Sequence, residues 1–427
     1  MSASLLPPLP PSFCEFLRDN HIDAAVYDTS RKLPRYVRVI RYRQKSTQAI
    51  DDLVQQIQAD AGCRAYKVDG VPGFIEIENQ AVRLSQLSAY NNGDIVGMDV
   101  SSGIAALALS VEPGDNVLDL CCAPGAKLLL IADLLDNNQE KGTTSVVGLE
   151  LRGTVTGVDI SLHRAATCRS LIKKHAGKDK GFMRLFVDDG TTFACKAPQP
   201  GWHDPQAVKA ASAPLNEGGD KVKCVLSGGS RPWFAPKLLS TAYACSGTQL
   251  YDRVLVDAEC THDGSLVHVQ KYAQWGWEQL DTQVVDGNKQ VTIPILQSKL
   301  LENGWRLLKP GGVLVYSTCS LSRYQNEFVL GGFLARHGED EAVLEPIPLL
   351  GITTSPIWTP ADDDEWDRAG LSHHRAVFSR MCNAVRLDPL VSNTSGMFIA
   401  RIKKLQNGSR LEDSAIAPLA LPPSREK

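Results

Sequence analysis

The stretch Val117-Leu118-Asp119-Leu120-Cys121-Cys122-Ala123-Pro124-Gly125-Ala126-Lys127 decides the fold of this 427-residue chain. Val117, Leu118 and Leu120 form a short apolar run of the kind that lies in the middle of a parallel sheet. Asp119 puts a carboxylate at its end, Pro124 and Gly125 turn the chain, and Leu128 to Leu135 (LLLIADLL) continues as an apolar helix. A strand, a tight turn and a helix leave backbone N–H groups at the crevice where open α/β sheets bind ligands.

The pattern repeats outward from this unit. Val155 to Asp159, Leu185 to Val187 and Tyr251 to Asp257 read as further strands. The first two end in acids, at Asp159 and at Asp188-Asp189, and helical segments such as Leu162 to His175 lie between them. Lys309 to Gly312 turn the chain into a fifth strand, Val313 to Ser317, followed by a helix from Ser322 to Ala335. Strands alternating with helices imply a doubly wound, mostly parallel sheet. Neither G-x-x-x-x-G-K-[ST] nor, in the opening turn, G-x-G-x-x-G occurs, so a nucleoside triphosphate or a dinucleotide is poorly served. Two strand-end carboxylates around one glycine turn suit a ligand with an ammonium group and ribose hydroxyls, and S-adenosylmethionine is such a ligand.

Composition narrows the class. Hydrophobic residues at 43% and charged residues at 22% are ordinary for a globular chain, and the net charge of −3 confines any nucleic-acid surface to a local patch. No apolar run reaches the length of a membrane span, and the Pro-rich N-terminus lacks a secretory pattern, so no membrane association is expected. The eleven cysteines are scattered, with no C-x-x-C pair. They imply a reducing, intracellular compartment (cytoplasm, nucleus or nucleolus) and no metal site.

Residues 1–12 read as a loose arm. Residues 13–92 mix helix and strand and include Arg35, Arg38, Arg41 and Arg43 around a strand interleaved with tyrosines, Tyr36 to Tyr42. Clustered basic and aromatic residues with few acids nominate this half-exposed strand as an RNA contact. A catalytic domain is expected from 93 to 405, with an insertion at about 196–249 where periodicity fades, and a polar tail from 406 to 427. Cys260 and Cys319 each follow a strand, on the sheet edge that carries Asp119 and Asp159. A free cysteine is most often a small buried hydrophobe, but two at strand ends beside a ligand crevice are where nucleophiles are placed.

VLDLCCAPGAK, VTGVDIS, YDRVLVDAEC and LLKPGGVLVYSTCSLSRYQNE, with NNGDIVGMDVSSGIAAL before them and GMFIAR after them, resemble the ordered motifs of the Sun-type (Nop/Sun, RsmB-like) RNA cytosine-C5 methyltransferases across roughly residues 90–405. The resemblance implies a Rossmann-like class I methyltransferase sheet of α/β class with a small α+β N-terminal RNA-binding region. It implies an S-adenosylmethionine-dependent, monomeric enzyme acting on tRNA or rRNA. Residue by residue, Cys121, Cys122, Ala123, Pro124, Gly125, Ala126 and Lys127 would form the cofactor loop. Asp159 would hold the ribose, Asp189 would lie near the adenine, and Asp257 would sit between cofactor and cytosine. Cys319 would be the nucleophile and Cys260 would assist release.

Departures from the family pattern accompany the match. Ala126 stands where a second glycine is usual. Glu259 stands where proline is usual, adding a carboxylate expected to raise the Cys260 pKa. In the THDGS that follows, His262 and Asp263 could contact substrate or cap the loop. A catalytically inactive RNA-binding or ribosome-assembly factor that keeps the fold is the alternative. A cytosine deaminase is excluded by the absence of its H-x-E…P-C-x-x-C zinc signature.

Overall fold

The computed structural model describes residues 8–28, 33–136, 153–175, 182–204, 206, 231–245, 247–348, 351–361, 364, 366 and 374–406. Residues 205, 207–230 and 246 of the expected 196–249 insertion, all but residue 406 of the expected tail, and the first seven residues of the expected arm lie outside them.

Two sheets organise the chain. The first is antiparallel, with order β2-β3-β1-β4, from β1 (Arg35–Val39), β2 (Ala65–Lys67), β3 (Phe74–Ile77) and β4 (Ile95–Gly97). Helix Thr47–Ala61 packs on it through Ile50, Leu53 and Ile57. That helix starts on Ser46, whose hydroxyl accepts the Ala49 N–H, and stops at Gly62 in the left-handed region. Residues 95–97, which the sequence reading assigned to the catalytic region, hydrogen-bond into this first sheet as β4.

The second sheet holds β5 (Asn116–Asp119), β6 (Thr154–Asp159), β7 (Met183–Val187), β8 (Tyr251–Asp257), β9 (Leu308–Thr318), β10 (Ala342–Leu344), β11 (Val385–Leu387) and β12 (Met397–Lys404). Its order is β10-β12-β9-β8-β5-β6-β7, with β11 also on β12. The five strands from β9 to β7 are parallel, and β12 runs antiparallel to β9. Alternate residues feed two cores. Val117, Val155, Leu255 and Val315 face helices Val100–Leu107 and Ala126–Asp136. Leu118, Val158, Val254, Val256 and Leu314 face helices Gly287–Leu307 and Glu327–Arg336. Burial on both faces is why these strands read as unbroken apolar runs. Lys309 to Gly312, expected as a turn, lie inside β9, where the pairing with β8 shifts register.

The N-terminal helix Pro11–Asp19 begins within the expected arm, with Pro11 in its first turn and no side-chain cap. Phe13, Phe16 and Leu17 bury against Leu266, Val269 and Leu280, and the Ser12 hydroxyl donates to Asp281 at 2.6 Å. Strand order reverses between β5 and β8, so the carboxyl ends of these strands open the crevice at which such sheets bind ligands.

Candidate functional site

The loop between β5 and helix Ala126–Asp136 is held from below. Cys122 N–H donates to Val158 O at 2.9 Å, Ala123 N–H to Asp159 Oδ2 at 3.3 Å, and the Arg164 guanidinium to Ala123 O at 2.9 Å. Gly125 sits at φ +107°, and a Cβ there would lie 2.7 Å from Cys168 Sγ, so only glycine fits. Ala126 opens the helix, an ordinary setting for an L-residue, which explains why the second glycine is dispensable.

A cavity of about 220 Å³ opens above this loop, lined by residues 97–99, Ser102, Asp119, residues 121–127 and Asp257. Asp119 is 1% exposed. Its Oδ1 accepts the Cys121 N–H at 3.3 Å, and its Oδ2 has no hydrogen-bond partner among the described residues. Burial, and next the nearby Asp257, push its carboxyl up to about 8. An unsatisfied acid at the floor of a cavity calls for a cation. Across the cavity Lys127 Nζ bonds Asp257 Oδ2 at 2.8 Å and Ser102 Oγ at 3.1 Å. Burial would lower the ammonium, but Asp257 beside it prevails and raises it. Asp257 Oδ1 accepts from Ser317 Oγ at 2.8 Å, so its carboxylate is fixed between β8 and β9.

Asp159 and Asp189 lie outside that cavity lining. Asp159 is 3% exposed and also accepts the Ser161 N–H at 2.9 Å. Asp189 Oδ1 accepts from Thr191 N at 2.8 Å and Thr191 Oγ1 at 2.7 Å, which shapes the loop after β7.

The two expected thiols meet. Cys260, just beyond β8, and Cys319, directly after β9, have their Sγ atoms 3.2 Å apart. His262, one of the two residues whose role the sequence left open, completes the cluster: its Nδ1 is 2.9 Å from Cys319 Sγ and 3.7 Å from Cys260 Sγ. Its backbone is left-handed, φ +56°, which costs a non-glycine residue on the order of 1 kcal/mol and turns the ring back toward the sulfurs. The other, Asp263, is fully buried and structural, accepting from Thr261 Oγ1 and from Leu321 N at 2.8 Å. The sulfurs sit closer than the roughly 3.8 Å kept by two ligands of one tetrahedral zinc, so the geometry is that of hydrogen-bonded thiols.

These contacts favour one negative charge on the pair and oppose a second. The hydrogen bond from Cys319, then the nearby imidazole, pull the Cys260 thiol down to about 5 against its burial. Cys260 in turn raises His262 to about 9, while Cys319 is pushed up by its bond to Cys260. The expected upward push from Glu259 does not occur: its side chain is exposed, and only its carbonyl is engaged, by Gln297 Nε2 at 2.8 Å. Gln325 and Asn326, both fully buried, brace the two loops. Gln325 accepts from Thr261 N at 3.1 Å, and Asn326 Nδ2 donates to Ser320 O at 2.9 Å. Sequence reasoning quoted these residues within a motif without seeing this work.

The expected arginine surface is corrected at Arg38. Arg38, expected to touch RNA, is 2% exposed, and its Nη1 lies 2.6 Å from Asp133 Oδ2 on helix Ala126–Asp136. The strand carrying it is buried along most of its length, not half-exposed. Arg35 donates to Gln80 O at 3.3 Å, and Arg41 is half-buried with its N–H 3.4 Å from Asp133 Oδ2. The Arg43 side chain lies outside the described residues. Among the described residues, no helix is long and apolar enough to cross a membrane.

Comparison with known proteins follows the same lines. Residues 238–403 match the family described as 16S rRNA methyltransferase RsmB/F. Ribosomal RNA small subunit methyltransferase B of Xylella fastidiosa is 29% identical over 320 residues, covering 73% of this chain and 55% of the relative. The 5-cytosine rRNA methyltransferase NSUN4 of Mus musculus is 30% identical over 248 residues, covering 58% of this chain and 47% of the relative. The chain thus spans about half the length of the curated relatives it matches. In fold, NSun6 from Pyrococcus horikoshii, solved with SFG, aligns over 93% of this chain and 99% of its own with TM-score 0.59 at 15% identity. A methyltransferase homolog protein from the same organism aligns over 93% and 100% with TM-score 0.55 at 22% identity.

Proposed function

We propose that this chain, which carries the Sun-type (RsmB/F) methyltransferase domain across residues 238–403, is an S-adenosylmethionine-dependent RNA cytosine-C5 methyltransferase working through a covalent Cys319 adduct. The observation that carries the reading is the pairing of two strand-end thiols, 3.2 Å apart, beside an acidic cavity at the topological switch point. The cavity fits the cofactor. The unpartnered Asp119 oxygen would take its ammonium group. The 121–127 loop would cradle the amino-acid portion. Asp159, whose Oδ2 has a long 3.3 Å bond from Ala123 N–H and lies 3.7 Å from Arg164 Nη2, would accept from the ribose, and Asp189 would border the adenine. Bound there, S-adenosylmethionine supplies a sulfonium methyl group.

The remaining chemistry belongs to the chain. Carbon 5 of cytosine is a poor nucleophile until a thiolate adds to carbon 6. Cys319 Sγ forms that bond, and the C5=C6 electron pair becomes available at carbon 5 for attack on the methyl group. Asp257, fixed by Lys127 and Ser317, faces the base edge as charge develops on it. Cys260 then takes the carbon-5 proton. The double bond re-forms, and the sulfur–carbon bond breaks with its electron pair returning to Cys319. The base must be unstacked to reach a crevice of this kind.

Relatives named for rRNA favour rRNA over tRNA as the substrate. Glu259 was the argument for an inactive RNA-binding factor, and its exposed side chain leaves the thiol cluster undisturbed. Mapping 5-methylcytosine after incubation with rRNA and tRNA in parallel tests the assignment. New methylation in rRNA supports it, methylation confined to tRNA corrects the substrate, and none in either removes it.

A further inference from the structure

We propose that His262 is the base that ionises Cys319 for its attack on the pyrimidine. The inference rests on the methyl-transfer reading for its chemistry, but not for its test. His262 falls where this chain departs from the family pattern, so the resemblance assigns it no role. Its imidazole Nδ1 lies 2.9 Å from Cys319 Sγ, within hydrogen-bond reach, on a left-handed backbone of φ +56°. The residue is exposed, so a proton held on the ring can exchange with water.

The groups facing this ring support the role. Cys260 lies at 3.7 Å and, with Asp257 and Asp263, favours the imidazolium. His268, 5.7 Å away between ring centroids, disfavours a second positive charge and is itself held lower. The bond to Cys260, burial and the charge of Asp257 hold the Cys319 thiol up, and Lys127, facing it from the cavity side, favours its thiolate, which leaves the ionisation to be assisted by a base.

The step balances without an outside reagent. The Sγ–H bond of Cys319 breaks, its proton bonds Nδ1, and the sulfur lone pair forms the bond to carbon 6. The C5=C6 pair moves to carbon 5. At release the double bond re-forms, the pair of the S–C6 bond returns to sulfur, and the imidazolium gives back its proton. Nδ1 must accept at the outset, so the step starts from the neutral ring with its hydrogen on Nε2, the minor form at neutral pH for a ring raised to about 9 and one that grows as pH rises.

The test uses the full chain and no RNA. Iodoacetamide labelling of Cys319 is followed against pH by peptide mass spectrometry in wild type, His262→Asn and His262→Gly. Asparagine and glycine both tolerate the left-handed backbone, so the loop keeps its path. Wild-type Cys319, which its bond to Cys260 pushes up, is expected to label with a midpoint below that of either variant. In both variants the midpoint should move up by at least about one unit, a loss of roughly tenfold or more at pH 6. Added imidazole should restore labelling in His262→Gly and leave wild type unchanged. Unshifted profiles in both variants, with native circular dichroism, overturn the inference even if wild type methylates RNA. Shifted profiles in a protein that methylates no RNA retain His262 as the thiol's base and remove the methyl-transfer reading instead.

Discussion

Replacing Arg38 with methionine should cost this protein stability rather than RNA affinity. Arg38 and Asp133 are 2% and 4% exposed at their side chains and 2.6 Å apart. They tie β1 of the first sheet to the helix that starts at the cofactor loop. Methionine keeps much of the aliphatic stem but removes the guanidinium from beside a buried carboxylate. Breaking such a pair from one side costs about 3–5 kcal/mol. At the lower figure the folded-to-unfolded ratio falls on the order of a hundredfold. Replacing both partners, Arg38→Met with Asp133→Leu, removes the stranded charge and should recover most of that loss. Urea denaturation followed by circular dichroism measures all three variants. RNA binding across a salt series, at a temperature where each is folded, should show an unchanged slope, because no phosphate contact is lost. Wild-type stability in Arg38→Met, or a flatter salt slope, would refute the buried-pair account and restore the arginine to the RNA surface.

Three other outcomes follow from the site. Asp119 binds an ammonium group only when ionised, and its carboxyl sits near 8, so cofactor affinity should rise roughly ten- to a hundredfold from pH 6 to pH 8, with proton release. Calorimetry in buffers of differing ionisation heat measures this, and Asp119→Asn should abolish the dependence. The same raised pKa means the folded state holds an extra proton between about pH 4 and 8, so the ligand-free protein should melt at lower temperature as pH rises through that window. Gly125→Ala places a Cβ against Cys168 at a backbone angle alanine rarely adopts, and equilibrium dialysis should show cofactor binding weakened at least tenfold. Cys260→Ala, which leaves Cys319 able to attack but removes the group that takes the carbon-5 proton, should accumulate protein covalently joined to RNA, seen as a slower band on a denaturing gel; free protein alone would remove that role.

The parallel sheet was legible because β5, β6 and β8 are buried on both faces and leave apolar runs ended by Asp119, Asp159 and Asp257. Two thiols after two parallel strands could be placed on one edge for the same reason. Arg38 could not be read correctly. Its partner lies 95 positions away, and a basic residue in a pleated strand reads as solvated until that partner is found. The approach of His262 to the two thiols was equally hidden, since the path of a loop with a left-handed residue cannot be read from its sequence. A polar residue two positions beyond a candidate cysteine was the only available signal. Glu259 misled in the opposite sense: adjacency in sequence suggested repulsion, but the side chains of neighbouring residues point apart, and this one faces solvent. The pairing of β4 with β1 across the expected boundary at residue 93 was not legible, because three residues of strand carry too little pattern to name their partners.

Transfer of labelled methyl from S-adenosylmethionine to rRNA, comparing wild type with Cys319→Ala, tests the central claim most directly. Label recovered as 5-methylcytosine with wild type, and lost at least a thousandfold with Cys319→Ala while cofactor binding persists, is the predicted result, since without the thiolate carbon 5 stays inert. Equal methylation by Cys319→Ala, or label at a position other than carbon 5 of cytosine, would contradict it.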